Sequence, residues 1–209
     1  MATKSRYSAS FTGATSLLHQ EMGRVLPLFM ADNSTELIAH EIRTNEHQLA
    51  DRETTRKRYM SELVKRYKAM PRHFWERYIE LSEQGQRVAL LCVVMKTYAI
   101  VLELHNTVML RKWRSVDHTI SRADMQMGFG DIAASDEFVD SWTENTKERC
   151  MTAILTFYRE SGLLQGDTLS KVYLSDDEWA MFFRIGEGWF PEVCMLENYE
   201  IERIKAIAL

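Results

Sequence analysis

The chain has 209 residues, of which 45% are apolar and 27% charged. That is an ordinary globular composition, and the length allows a core that needs neither disulfide nor metal to hold it. The formal net charge of −4 does not by itself announce a nucleic-acid binder. The longest apolar run, Val88–Met95, is far short of the roughly 20 residues that span a bilayer, and the opening MATKSRYSASFTGATSLL lacks the continuous apolar core of a signal peptide; no membrane partner and a cytoplasmic location are expected.

In chain order, residues 1–12 read as an arm, or as a short strand around Arg6–Phe11. A first helix is predicted over Gly13–Met30, kinked or ended early by Pro27, which lacks an amide donor and crowds the preceding turn. Asp32, Asn33 and Ser34 suit the cap of a second helix, Thr35–Glu46. A third runs over Glu53–Met70, and Pro71 opens a fourth, Arg72–Glu83, closed by Gly85.

The longest element is predicted over Gln86–Arg114, which contains neither Pro nor Gly and exceeds any ordinary strand. Its first half is apolar on every side, the pattern of a helix packed among others. Lys96 and Glu103 interrupt it two turns apart, as a wet stripe or a buried polar pair. It ends in Arg111, Lys112 and Arg114, cations that suit a helix C-terminus or, alternatively, a phosphate.

Ser121 caps a short helix through Met127, and Gly128 and Gly130 mark a turn. A short helix over Asp136–Asp140 precedes a long one over Thr143–Ser161, terminated by Gly162. Leu163, Leu164, a Gln-Gly-Asp turn and a run with Val172 and Tyr173 read as a small β-hairpin. Ser175 and Glu178 form a capping-box pattern for a helix to about Ile185, and a last helix falls within Val193–Ala208. The fold class is therefore mainly α, a compact multi-helix domain with a small hairpin in the C-terminal third. Two closely packed parts are expected, 1–114 and 115–209.

Charge is unevenly placed. Arg52–Arg77 holds nine Lys or Arg against three Glu, whereas Glu160–Leu209 holds four basic against ten acidic residues. Such asymmetry points to a polyanion-binding face and a separate acidic one. At 100° per residue, Tyr59, Met60, Leu63, Val64, Tyr67 and Met70 share the core side of the third helix, and Lys57, Arg58, Ser61, Lys65 and Lys68 the opposite side. Arg66 and Glu62 flank that outer side. Arg56 falls in the apolar sector, to escape to solvent or to pair with a carboxylate. A solvated helix face normally mixes signs; this one does not, and cationic stripes of this kind bind phosphate backbones. The candidate phosphate contacts are Arg52, Arg56, Lys57, Arg58, Lys65, Arg66, Lys68 and Arg72, with Arg111, Lys112 and Arg114.

The long helix followed by a hairpin also has the order of a winged helix-turn-helix, with the helix from Ser121 as its first member. The connection through Ser141 is long for that motif, and the candidate recognition face mixes Glu144, Glu148 and Glu160 with Lys147, Arg149 and Arg159. Catalytic patterns fail. Gly128-Phe-Gly130 lacks the strand a dinucleotide fingerprint needs, and His40-Glu41 has no second His at zinc spacing. Asp176, Asp177 and Glu178 are explained as partners of a helix N-terminus. Cys92, Cys150 and Cys194 are far apart and odd in number, so reduced thiols are expected. Neither enzyme, metal nor cofactor is indicated.

The residues Tyr7-Ser-Ala-Ser-Phe-Thr-Gly-Ala14 with Glu21 resemble the opening of the BrxA family, small accessory proteins of bacterial BREX phage-defence systems. The basic helix before Met70-Pro71, Met95-Lys-Thr-Tyr98, Thr119–Asp124, Trp142–Thr146 and Glu160–Leu164 continue the similarity over Tyr7–Leu174. The resemblance implies a mainly α-helical protein, similar in its helical part to the antitermination factor NusB, that binds double-stranded DNA without catalysis beside other BREX components. Alternatives left open are an assembly adaptor for those components and an RNA binder.

Overall fold

The computed structural model describes residues 5–208; residues 1–4 of the expected arm lie outside that range. The described residues are 67% helical with one two-stranded hairpin, the mainly α class read from the sequence. Its helices are α1 His19–Met30, α2 Ser34–Thr44, α3 Glu53–Lys68, α4 Arg72–Tyr78, α5 Glu83–Thr97, α6 Ala99–Trp113, α7 Arg122–Ala133, α8 Glu137–Asp140, α9 Glu144–Glu160, α10 Asp176–Arg184, α11 Phe190–Val193 and α12 Asn198–Ala208. The apolar side chains of all these parts join one contiguous core.

The N-terminal segment forms no strand at Arg6–Phe11. It makes a 3-10 turn at Ser10–Gly13 that drives Phe11 into the core, between Tyr98 and Phe157 at 5.0 and 5.9 Å. The first helix starts at His19, not Gly13. Side chains from elsewhere take the backbone groups that a longer helix would use: Arg66 binds the carbonyls of Ser16 and Leu17, and Leu17 N donates to Glu160 Oε2 at 2.6 Å. Leu18 is left-handed at φ 55°. Pro27 does not end α1. It faces solvent, as does Gly23 one turn earlier.

Gly85 does not close α4. Ser82 caps α5, its Oγ accepting from Gly85 N at 3.1 Å, so the glycine stands in the first turn of α5. A Cβ there would lie 2.5 Å from Glu178 Oε1. The expected helix Gln86–Arg114 is two helices, α5 and α6, bent by 108° at Tyr98 (φ −129°, ψ 97°). Nothing local breaks it; the Tyr98 hydroxyl donates to buried Glu62 at 2.6 Å, and Thr97 bonds back to Val93 O. The bend also separates Lys96 from Glu103. Lys96 pairs with Glu187 and Glu103 with Arg6 at 2.8 Å, so neither a shared wet stripe nor a mutual pair forms. Among the described residues no single helix is long and apolar enough to cross a membrane, and Val88–Met95 lies wholly in the core.

Gly128 and Gly130, expected to turn the chain, lie inside α7, which Ser121 and Asp124 open with a reciprocal capping box. Gly128 is where α7 presses on α6: an added Cβ would sit 2.4 Å from Val108 Cγ2 and 3.0 Å from Leu104 Cδ2. The contact falls on a π-helical turn of α6, His105–Met109. Gly162 ends α9 at φ 81° as expected. The hairpin is smaller than predicted. β1 Leu164–Gln165 pairs with β2 Thr168–Leu169, and Val172–Tyr173 is not strand. Its tip is pinned by Arg159 Nε to Gly166 O at 3.0 Å and by Ile120 N to Asp167 O at 2.7 Å. The three cysteines are free and buried.

Two measurements check this packing. Gly128→Ala should lose about 1–3 kcal/mol through overpacking, whereas Gly130→Ala, exposed with open space around it, should gain up to about 1 kcal/mol of helix propensity; equal urea midpoints would contradict the contact with α6. His105 is fully buried, its Nδ1 2.6 Å from the Tyr158 hydroxyl, and burial pushes its pKa down to about 3. The folded state therefore holds it neutral while the unfolded state gains a proton below about pH 6.5. Stability should fall as pH drops from 6.5 towards 5, by up to about 1.4 kcal/mol per unit from this group. His105→Gln should flatten that slope in urea titrations, and an unchanged slope would refute the neutral histidine.

Candidate nucleic-acid interface

Helix α3 has Glu53 in its first turn and Lys65, Arg66 and Lys68 in its last, the charge order that a helix dipole favours. It packs on α1, α2, α5 and the Ser10–Gly13 turn. Met60, Leu63 and Met70 are buried and Tyr59, Val64 and Tyr67 half-buried. Lys57, Arg58, Ser61, Lys65 and Lys68 are all exposed on the other side, so both faces stand where the 100° spacing puts them.

Two of the expected phosphate contacts are not on the surface. Arg56 is 8% exposed, and it neither reaches solvent nor pairs with a carboxylate. Its guanidinium donates to backbone carbonyls: Nε to Ile42 at 3.0 Å, Nη1 to Ala50 at 3.0 Å and to Asp51 at 2.8 Å, which ties down the α2–α3 connection. Arg66 is fully buried. Its Nε donates to Glu62 Oε1 at 2.8 Å and its Nη1 to Ser16 O and Leu17 O at 3.1 and 2.7 Å. Glu62, expected beside the outer face, is itself buried and accepts from both Arg66 and Tyr98. Helical spacing puts Arg56 in the apolar sector, where it is buried; it places Arg66 and Glu62 by angle alone and cannot see which neighbour covers them.

The other candidates separate by partner. Lys57 pairs with Glu53 at 2.6 Å, and Arg72 with Glu76 at 3.1 Å and Met30 O at 3.0 Å. Lys65 donates to Ser10 Oγ at 2.9 Å and lies 3.8 Å from Glu62. Arg52, Arg58 and Lys68 are exposed and carry no ion pair among the described residues. Lys112 lies between Asp117 at 3.0 Å and Asp124 at 3.2 Å, and its pKa is raised chiefly by the hydrogen bond to Asp117. Arg111 and Arg114 are exposed, but at 1.5 Å per residue they lie about 20 Å along α6 from Tyr98.

The winged-helix candidate offers less free charge. On α9, Lys147 pairs with Glu144, Arg149 donates to Thr12 O, Arg159 binds the hairpin tip, and Glu148 is held by Arg122. Residues that the spacing argument missed belong to the N-terminal arm, whose Ser10 and Gly13 lie against Lys65 and Arg58. The only signal for them was the Ser-rich stretch Tyr7–Ala14 itself.

A family model described as BrxA matches residues 5–177. No curated protein matches the chain. Among solved structures, an uncharacterized protein from Magnetospirillum magneticum aligns with a TM-score of 0.73 at 18% identity, covering 91% of this chain and 98% of the other, a likeness of fold.

The division between interior and surface arginines has a direct check in urea denaturation. Arg66→Ala should cost about 3–5 kcal/mol, because it leaves the Glu62 carboxylate buried without its partner. Lys68→Ala should change stability by less than about 0.5 kcal/mol. Similar losses for the two would contradict the burial of Arg66.

Proposed function

The chain belongs to the BrxA family, accessory proteins of BREX phage defence, and from that premise we propose that it binds double-stranded DNA, without catalysis, through phosphate contacts of the exposed face of α3. The observation that carries this reading is that Lys57, Arg58, Lys65 and Lys68 share one exposed face on which cations outnumber acids, Glu53 pairing with Lys57 and Glu62 lying buried beneath Lys65. Phosphate binding by such a stripe releases condensed counterions, which makes it favourable at low salt and weak at high salt. The face carries few outward amide or aromatic side chains, so contacts should be mostly to phosphate and weakly sequence-selective.

A second reading, an adaptor that docks other BREX components, draws on the C-terminal part. There Tyr173 and Tyr199 are 82% and 68% exposed amid an acidic stretch, and tyrosine is a residue type enriched at protein interfaces.

Fluorescence anisotropy with a DNA duplex separates the two. Four phosphate contacts give a log–log salt slope of about −3.6, or roughly 150-fold weaker binding at 200 than at 50 mM salt. Lys57, Arg58, Lys65 and Lys68 changed together to Glu should abolish binding while circular dichroism stays unchanged. Retained binding would move the interface to Arg111–Arg114 or the hairpin. No binding by the wild type at any salt would favour the adaptor.

A further inference from the structure

The N-terminal motif Tyr7–Ala14 meets the basic helix at a notch of about 190 Å³. Ser10 and Gly13 line it from the arm, and Arg58, Ser61, Glu62 and Lys65 from α3. A drug-sized ligand needs about 300–1,000 Å³, so this space suits one small group. Arg58, Ser61 and Lys65 follow one another at i, i+3 and i+7, one above the next on the exposed face. The notch therefore opens in the middle of the cationic stripe.

Its charge is unbalanced in one direction. Glu62 is the one acid in its lining, and both carboxylate oxygens are already engaged, Oε1 by Arg66 at 2.8 Å and Oε2 by the Tyr98 hydroxyl at 2.6 Å. Arg66 cancels Glu62 from behind and keeps one buried nitrogen, Nη2, without a hydrogen-bond partner. Arg58 and Lys65 are left as the net charge of the notch. Both are held before any ligand arrives. Lys65 Nζ donates to Ser10 Oγ at 2.9 Å and to the Tyr98 hydroxyl at 3.3 Å, and the Arg58 guanidinium lies 5.7 Å from the centre of the Tyr59 ring. Holding charged side chains in place reduces the ordering cost of binding. Gly13 keeps the wall open: a Cβ there would meet Arg58 Cδ at 3.2 Å.

We propose that this notch seats a single backbone phosphate of duplex DNA, with Arg58 and Lys65 supplying charge and the Ser10 and Ser61 hydroxyls supplying hydrogen bonds. The proposal rests on the reading of α3 as a DNA-binding face and adds to it a fixed point. Lys57 and Lys68 flank the notch along a stripe about 16 Å long and reach phosphates on either side, while the seat sets the register of the backbone on the helix. The arm motif thereby becomes part of the binding site.

The test uses the full chain and substitutions that leave charge unaltered. Gly13→Leu fills the notch, and Ser10→Ala with Ser61→Ala removes its hydroxyls. Each should weaken duplex binding about 10-fold at fixed salt in the anisotropy assay, with circular dichroism and urea midpoint close to wild type. Gly13→Leu should also reduce the salt slope by about one phosphate's worth, near 0.9. If Gly13→Leu fails to fold, the serine pair, whose side chains are on the surface, carries the test alone. Wild-type affinity in the uncharged variants, together with lost binding in the four-charge reversal, would overturn the seat and leave the α3 reading standing. No duplex binding by the wild type would overturn both. Displacement of the duplex by sub-millimolar inorganic phosphate, against chloride at equal ionic strength, would assign the notch to free phosphate and overturn the proposal.

Discussion

One buried carboxylate sets the geometry on which much of the molecule depends. Glu62 is 5% exposed and accepts hydrogen bonds from Arg66 and from Tyr98. Arg66 in turn holds the carbonyls of Ser16 and Leu17. Three segments distant in sequence meet there: the approach to α1, the inner side of α3, and the bend between α5 and α6. A buried ion pair adds little net stability compared with apolar packing of the same volume, but it is costly to break by halves. Its effect is positional. It ties together the place where the long apolar stretch turns at Tyr98 and the approach to α1 at Ser16 and Leu17. The Tyr98 hydroxyl is itself pushed further from ionising, first by burial and then by its bond to Glu62, which keeps it a donor.

The same arrangement divides the cations of α3 into two kinds. Arg56 and Arg66 point inward and satisfy backbone carbonyls and a carboxylate with forked donors, work that suits a planar guanidinium. Three lysines and Arg58 stay outside. The exposed face is thus mostly flexible ammonium groups, which act on phosphate as point charges. Lys65, bonded to Ser10 and to the Tyr98 hydroxyl, is the member of that face with the most partners, while Arg58 lies beside Gly13 and over Tyr59.

What the sequence made legible follows local physics. The two faces of α3, the caps at Ser121 and Ser175, and the stop at Gly162 depend on neighbours within a turn or two, and each is where the pattern puts it. What it hid depends on distant partners. Neither Pro nor Gly stands near Tyr98; the carboxylate that its hydroxyl meets at the bend lies 36 residues earlier, at Glu62. Gly128 looks like a turn residue because glycine usually is one. Here the missing side chain is needed because Val108 and Leu104 occupy its place. Arg66 reads as a surface cation because helical angle says nothing about a covering arm; Arg56 already falls in the apolar sector, and what its angle cannot show is that its partners are backbone carbonyls of the α2–α3 connection. For the candidate site the charged stripe was readable, while the contribution of the arm required the turn at Ser10–Gly13 to be seen against α3.

Net charge gives the stripe a further consequence. At −4 the chain as a whole is repelled by a polyanion, yet at physiological salt charges more than about 8 Å apart are largely screened. Long-range repulsion is therefore weak, and short-range attraction is confined to faces where cations outnumber acids. The C-terminal stretch from Glu160, with ten acids against four bases, is the kind of surface that repels a polyanion at short range. If α3 is the DNA-binding face, as proposed, the acidic part and the basic helix act in the same sense, because an approach by the acidic part is unfavourable. Orientation on the duplex would then arise from where attraction is absent as much as from where it is present. A protein with the same stripe on a uniformly basic body would bind more tightly, but it would bind in many orientations.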